Sequence, residues 1–247
     1  MARPTNRQSR SVGNLGDVLK HGVLVELAGR LASPTLRYVD THTFLLHAPA
    51  ADPVRWSNEI DALVAAHPAY ARYAALERAS LSRASHYRCS SGLMLDVLGD
   101  RRGNLVLGEA NPLTRAQLEE QITEERHANV EVAPDAAVAL TLAGASAGPL
   151  LIHVDPFSLS PELWASLAPA LDALGERSSA MALVAYRYTR SAPSAWPVAP
   201  VGTLGPVAQI RGGPHELAAY ASAALCDTVR EVCASLGWHL LESQTRP

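Results

Sequence analysis

Apolar residues recur at helical spacing soon after the chain begins. Val18, Leu19, Val23, Leu24, Leu27 and Leu31 predict a helix over residues 17–31, with Asn14 or Asp17 placed to cap its start. The next apolar run, residues 35–40, is short and ends in Asp40, so it reads as a buried parallel strand with a polar C-terminal tip. Residues 53–98 break the alternation: helical stretches over 54–66 and 69–84, parted by Pro68, predict an inserted helical subdomain. The alternation then resumes. Strands are expected over 104–109, 129–133, 149–155, 180–186 and 206–211, and helices over 114–126, 135–143, 161–174 and 215–235. Residues 191–206, rich in Pro, Ser and Gly, read as a loop.

Alternating strands and helices imply an α/β fold. The expected form is a doubly wound, Rossmann-like, mostly parallel sheet built from residues 1–52 and 99–247, with 53–98 inserted. A ligand then binds at the carboxyl ends of the strands, where the winding direction reverses. That rule singles out Asp40, Glu109, Asp135 and Asp155, and it requires the strands over 35–40 and 149–155 to be neighbours.

Composition narrows the function. The 247 residues are 48% hydrophobic and carry a net charge of −3 with a pI near 6.3, without the overall basic footprint of a dedicated RNA binder. Arg3, Arg7 and Arg10 open the chain either as a local basic patch or as a solvated tail. The three cysteines, Cys89, Cys226 and Cys233, lack paired spacing and read as core thiols, the last two on one helix face. There is no apolar signal core and no membrane-length apolar run, so a cytoplasmic protein with no membrane partner is expected. GxSxG, HExxH and Walker motifs are absent, and no metal site is expected.

Four segments carry a resemblance. The run Gly13-Asn14-Leu15-Gly16-Asp17-Val18-Leu19-Lys20-His21 is the most specific. Tyr38-Val39-Asp40-Thr41-His42, Leu107-Gly108-Glu109-Ala110-Asn111-Pro112 and Leu151-Ile152-His153-Val154-Asp155-Pro156 are the others. Together they resemble the RlmJ-type family of 23S rRNA adenine-N6 methyltransferases, which have the class I methyltransferase fold, over about residues 9–160. The resemblance implies S-adenosylmethionine at the strand tips. Lys20 and His21 would hold its carboxylate, Glu109 its ribose hydroxyls and Asp135 its adenine edge, while Asp155 would accept from the target amino group.

Three loops depart from that family's pattern. Its small-residue turn after the first strand is here Thr43-Phe44-Leu45-Leu46, where side chains replace glycines that let backbone approach a cofactor. Its Asp-Pro-Pro-Tyr tetrad is here Asp155-Pro156-Phe157-Ser158, and Ser158 cannot stack on a flipped base. Its Pro-Gly-Ser-Pro loop corresponds to Cys89-Ser90-Ser91-Gly92.

The candidate catalytic residues are therefore Asp155, Asp40 and His42, and the candidate substrate- or anion-binding residues are Lys20, His21, Asn14, Glu109 and Ser158. Each has a plainer alternative. Asp155 could cap the following turn, His42 could bond nearby backbone, Lys20 and His21 could be a solvated helix face, and Glu109 a loop acid. His47, His86, His127 and His153 show no partner in sequence and read as structural.

Three functions follow as expectations. The first is a divergent enzyme acting on a small molecule, free or held on a carrier protein, without S-adenosylmethionine or any other cofactor. In natural-product biosynthesis it would close an aziridine-type ring, an amine displacing sulfate or phosphate. The second is S-adenosylmethionine-dependent methylation of rRNA. The third is a scaffold that only binds a partner.

Overall fold

The computed structural model describes residues 14–49, 53–84, 86–99, 104–144, 148–156, 159–188 and 203–241. Arg3, Arg7, Arg10, Gly13, Phe157, Ser158 and most of the expected loop over 191–206 lie outside the described residues.

Helix α1 (Leu15–Leu31) starts one turn's edge earlier than its apolar pattern. Asn14 is its N-cap, and a capping box joins Asn14 Oδ1 to the Asp17 N–H and Asp17 Oδ2 to the Asn14 N–H, both at 3.2 Å. Thirteen of its seventeen residues are buried, so this helix is enclosed on nearly every side. That burial carries Asp17, Lys20 and His21 inside, where the sequence alone allows a solvated face. Strand β1 (Arg37–Asp40) follows, then a short strand β2 (His47–Pro49). Helices α2 (Pro53–Ala66) and α3 (Ala71–Ala84), strand β3 (His86–Arg88) and helix α4 (Ser90–Leu98) come next, with β2 and β3 pairing antiparallel. These elements share a core with α1: Trp56, Ile60, Tyr70, Tyr73, Leu93 and Met94 pack in one cluster with Val23, Leu24 and Leu27. The approach is close at Gly22, where a Cβ would stand 2.2 Å from the Tyr70 ring, so glycine is what lets α1 and that ring meet.

The remaining elements are β4 (Asn104–Gly108), α5 (Pro112–Glu124), β5 (Val130–Ala133), α6 (Ala136–Ala143), β6 (Leu150–Val154), α7 (Pro161–Arg177), β7 (Met181–Tyr188), β8 (Gly205–Gly212), β9 (His215–Ala221), α8 (Cys226–Ser235) and β10 (His239–Leu240). Eight strands form one sheet in the order β10-β8-β9-β7-β6-β1-β4-β5. Strands β5, β4, β1, β6 and β7 run parallel. From β1 the chain winds outward through β4 and β5, then returns to β6 on the other side of β1. The reversal therefore lies between β1 and β6, which pair directly, Asp40 opposite His153.

The far side of the sheet differs from the sequence expectation. Residues 215–235 do not form one helix: β9 occupies the first seven positions and α8 the last ten. Strand β9 lies between β7 and β8, antiparallel to both, and all seven of its residues are buried. A strand buried on both faces shows no apolar–polar alternation, and an Ala-rich one is easily read as helix. The hairpin turn from β8 to β9 is Gly213-Pro214, with Gly213 at φ 60°, the positive value such two-residue turns require. Cys233 is buried on α8, Cys226 is half-buried, and both are free thiols, as is the buried Cys89.

Candidate active site

The carboxyl ends of β1, β6 and β7 meet the first turns of α1. Asp155 follows the last residue of β6, and the Lys20 ammonium contacts its Oδ2 directly while lying 2.7 Å from Asp17 Oδ1. The three side chains are only 9%, 11% and 16% exposed for Lys20, Asp17 and Asp155. Tyr186, on β7, closes one side with its ring centroid 4.9 Å from Lys20 Nζ, a cation–π distance. The Tyr186 hydroxyl is 2.8 Å from His215 Nδ1 at the start of β9, so the hairpin that the sequence concealed supplies part of this wall.

Burial strips solvation from all three charges, and their mutual contact answers it. Burial by itself would lower the Lys20 pKa, but the Asp155 and Asp17 carboxylates outweigh it and hold the ammonium firmly protonated. Burial pushes the Asp155 carboxyl above its ordinary value, and Lys20 offsets only part of that rise. With Asp17 and Asp155 ionised and Lys20 protonated, the trio sums to one negative charge.

Behind Asp155 is a second layer. Asp40 is fully buried, and its Oδ2 accepts from Ser90 Oγ at 2.7 Å and Tyr38 Oη at 3.1 Å and lies 3.2 Å from His153 Nδ1. The His42 backbone N–H donates to Asp40 Oδ1 at 3.3 Å. Burial alone would raise the Asp40 carboxyl, but the adjacent His153 ring and these hydrogen bonds reverse the balance and keep it well below the usual carboxylate range. Asp40 is thus a fixed anion that faces His153 rather than solvent, and His153 lies between it and Asp155.

The other candidates divide. His42 is half-buried beside Asp40, with Nδ1 2.7 Å from Thr41 Oγ1, and burial lowers its pKa to about 4, so it is neutral near pH 7. His21 is buried, its Nδ1 2.8 Å from Tyr87 Oη, and burial together with Lys20 lowers its pKa to about 3. A neutral, enclosed imidazole is poorly suited to bind an anion. Asn14 is the cap of α1. Glu109, at the tip of β4, is nearly buried; its Oε1 accepts from the Asn111 N–H at 2.6 Å, and burial raises its carboxyl. Asp135 is exposed and caps α6 through the Val138 N–H at 2.8 Å. Ser158 lies outside the described residues.

The residues that the resemblance assigns to the carboxylate of S-adenosylmethionine do not fit that group. Lys20 is already shared by two carboxylates, which would repel a third, and His21 is neutral and turned to Tyr87. Phe44 and Leu45 are half-buried against the main core, and the chain beyond them is drawn toward α5, where the Leu46 N–H donates to Gln121 Oε1 at 2.8 Å.

Sequence reasoning passed over His153, Asp17, Tyr186 and His215. His153 did carry a signal, being a histidine inside an otherwise apolar strand two residues before the catalytic candidate. Among the described residues no group of His, Cys, Asp and Glu could hold a metal, and no helix is long and apolar enough to cross a membrane.

No family model and no curated protein matches the chain. Solved structures do. Protein LPL1258 of Legionella pneumophila, of the DUF519 family, aligns with a TM-score of 0.65 at 18% identity, covering 91% of this chain and 92% of that one. A methyltransferase from Geobacter sulfurreducens aligns with a TM-score of 0.49 at 11% identity, over 87% of this chain and 84% of that one. The putative methyltransferase yhhF of Escherichia coli gives 0.45 at 13% identity, over 89% and 87%. Likeness at such identities is one of fold. The chain has a Rossmann-like α/β fold with a mostly parallel central sheet.

Proposed function

We propose that this protein is an enzyme that uses a methyltransferase-type scaffold for small-molecule amine chemistry, without S-adenosylmethionine. The reaction is an intramolecular substitution: the amine displaces a sulfate or phosphate ester on a neighbouring carbon and closes an aziridine-type ring. The substrate is a small molecule, free or tethered to a carrier protein.

The observation that carries this reading is the contact of Asp155 with Lys20, which puts a base and a fixed cation at one strand tip. A trio of net charge minus one attracts an ammonium group. Burial raises the Asp155 carboxyl and makes it a better proton acceptor than an ordinary carboxylate, so it can take the ammonium proton and leave a neutral amine with a free lone pair. That lone pair forms the N–C bond as the C–O bond of the ester breaks, and the electron pair departs with the sulfate or phosphate oxygen. Protonation of Asp155 also brings the trio to neutrality, so the Lys20 charge is less masked as the anion leaves. The protonated ring then loses its remaining extra proton to water. The misfit of Lys20 and His21 to a cofactor carboxylate supports the same reading, as does the overall negative charge.

A second reading is S-adenosylmethionine-dependent methylation of adenine in rRNA. Glu109 favours it, standing at the β4 tip where the resemblance puts the ribose acceptor.

One experiment separates the two. The protein is incubated with 2-aminoethyl sulfate, released sulfate is followed by ion chromatography, and S-adenosylmethionine is titrated calorimetrically in parallel. Sulfate release that falls about a hundredfold in Asp155→Asn supports the first reading. Cofactor binding should be no tighter than about millimolar. Micromolar cofactor binding with no sulfate release overturns the first reading and favours the second.

A further inference from the structure

His153 is the fourth residue of β6, and its side chain is fully buried. Both ring nitrogens face carboxylates. Nδ1 is 3.2 Å from Asp40 Oδ2, with Tyr38 Oη 3.4 Å away, and Nε2 is 3.9 Å from Asp155 Oδ2. Nε2 has no hydrogen-bond partner among the described residues. A buried ring nitrogen left unpaired carries a desolvation cost that ordinary core packing does not repay. Asp40 is itself held by Ser90, Tyr38 and the His42 N–H, so it can fix the imidazole through Nδ1–H and leave the Nε2 lone pair aimed at the site.

We propose that His153, oriented by Asp40, is the proton store behind Asp155. Asp155 takes a proton from the substrate amine. Once the sulfate or phosphate has departed, the Asp155 O–H bond breaks as a bond from that proton to His153 Nε2 forms, and Asp155 regains its carboxylate. The Asp40 carboxylate balances the imidazolium. After product leaves, the proton returns through Asp155 to water. The gap of 3.9 Å exceeds a hydrogen bond, so transfer uses rotation of the Asp155 carboxyl or one bridging water. His153 touches no substrate and is a positioning residue that acts through Asp155. The proton's source rests on the amine-substitution reading; the coupling of His153 to Asp155 does not.

The titratable groups facing His153 are Asp40 and Tyr38 on β1, His42 just beyond, His21 on α1 and Asp155, with Lys20 across Asp155. The test follows these groups in the full chain labelled with 15N-histidine, by long-range 1H–15N correlation across a pH series. The His153 resonances are identified by their loss in His153→Gln. The expected state of the empty site is Nδ1–H with bare Nε2 at high pH. Removing the neighbouring charge in Asp155→Asn should lower the His153 midpoint by about one pH unit. With 2-aminoethyl sulfate, His153→Gln should release sulfate about a hundredfold more slowly and shift the acidic limb of the rate profile, which a packing role alone would not move. A His153 titration unchanged in Asp155→Asn overturns the proposal, as does a wild-type rate and profile in His153→Gln. If the wild-type protein releases no sulfate, the substitution reading fails, and the His153 midpoint alone then upholds or overturns the store. If His153→Gln does not fold, the Asp155→Asn spectra decide it by the same criterion.

Discussion

Replacing Lys20 by Met removes one charge and keeps most of the side-chain volume. The aliphatic stem still packs beside Tyr186, so the measurement isolates electrostatics from cavity formation. What remains is a pair of like charges, Asp17 and Asp155, each largely shielded from water at 11% and 16% exposure. Breaking a buried ion pair by deleting one partner costs about 3–5 kcal/mol. The residual solvent contact of both carboxylates puts this site at the lower end, about 3 kcal/mol. For a chain of this size that corresponds to a fall in melting temperature of about 6–12 °C, at roughly 2–4 °C per kcal/mol. The pH dependence fixes the cause. Burial already raises the folded Asp155 carboxyl above its unfolded value, and loss of Lys20 raises it further. A group raised on folding contributes stability that is present below its unfolded pKa and lost as pH rises through the folded one. The penalty of Lys20→Met should therefore be largest at alkaline pH and shrink on acidification, as pH falls through the folded Asp155 pKa toward the unfolded one. Urea unfolding of both proteins across that range measures it directly. A penalty below about 1 kcal/mol at the alkaline end, or one that grows on acidification, would refute the assignment of Lys20 as the counter-ion of this buried pair. Because the pair is buried, added salt should change the penalty little.

Glu77 on α3 is buried with Oε1 unpartnered among the described residues, and burial raises its carboxyl well above the ordinary value. Glu77→Gln should raise stability at alkaline pH by about 1 kcal/mol or more, with the gain fading as pH falls from the folded toward the unfolded pKa and absent below it; urea midpoints check this. Gly92→Ala should lower stability by about 1–3 kcal/mol in thermal melts. The reason is that an added Cβ would stand 2.2 Å from the Leu46 carbonyl oxygen and 3.0 Å from Arg88 Nε, inside the knot where Arg88 binds Asp96 and Glu125.

Much of the frame is legible in residue order. The apolar spacing of α1, the apolar run of β6 interrupted only by His153 and the acids closing β1 and β6 are local features, and strand and helix geometry converts them into elements without reference to the rest of the chain. The placement of Asp40 and Asp155 at neighbouring tips follows from alternation and handedness alone. Strand β9 was beyond that reach, because burial on both faces removes the period that marks a strand, and only its position between β7 and β8 makes it one. The state of the site was equally out of reach. Lys20 and Asp155 are 135 residues apart in sequence, and His153 pairs with Asp40 across 113. Whether Lys20 is a free anion receptor or a neutralised counter-ion, and whether His153 is core or relay, depends on distance and burial between groups brought by separate strands. Those quantities exist only once the sheet has assembled, because a charge interacts with whatever lies within a few ångströms of it and not with its neighbours in the chain.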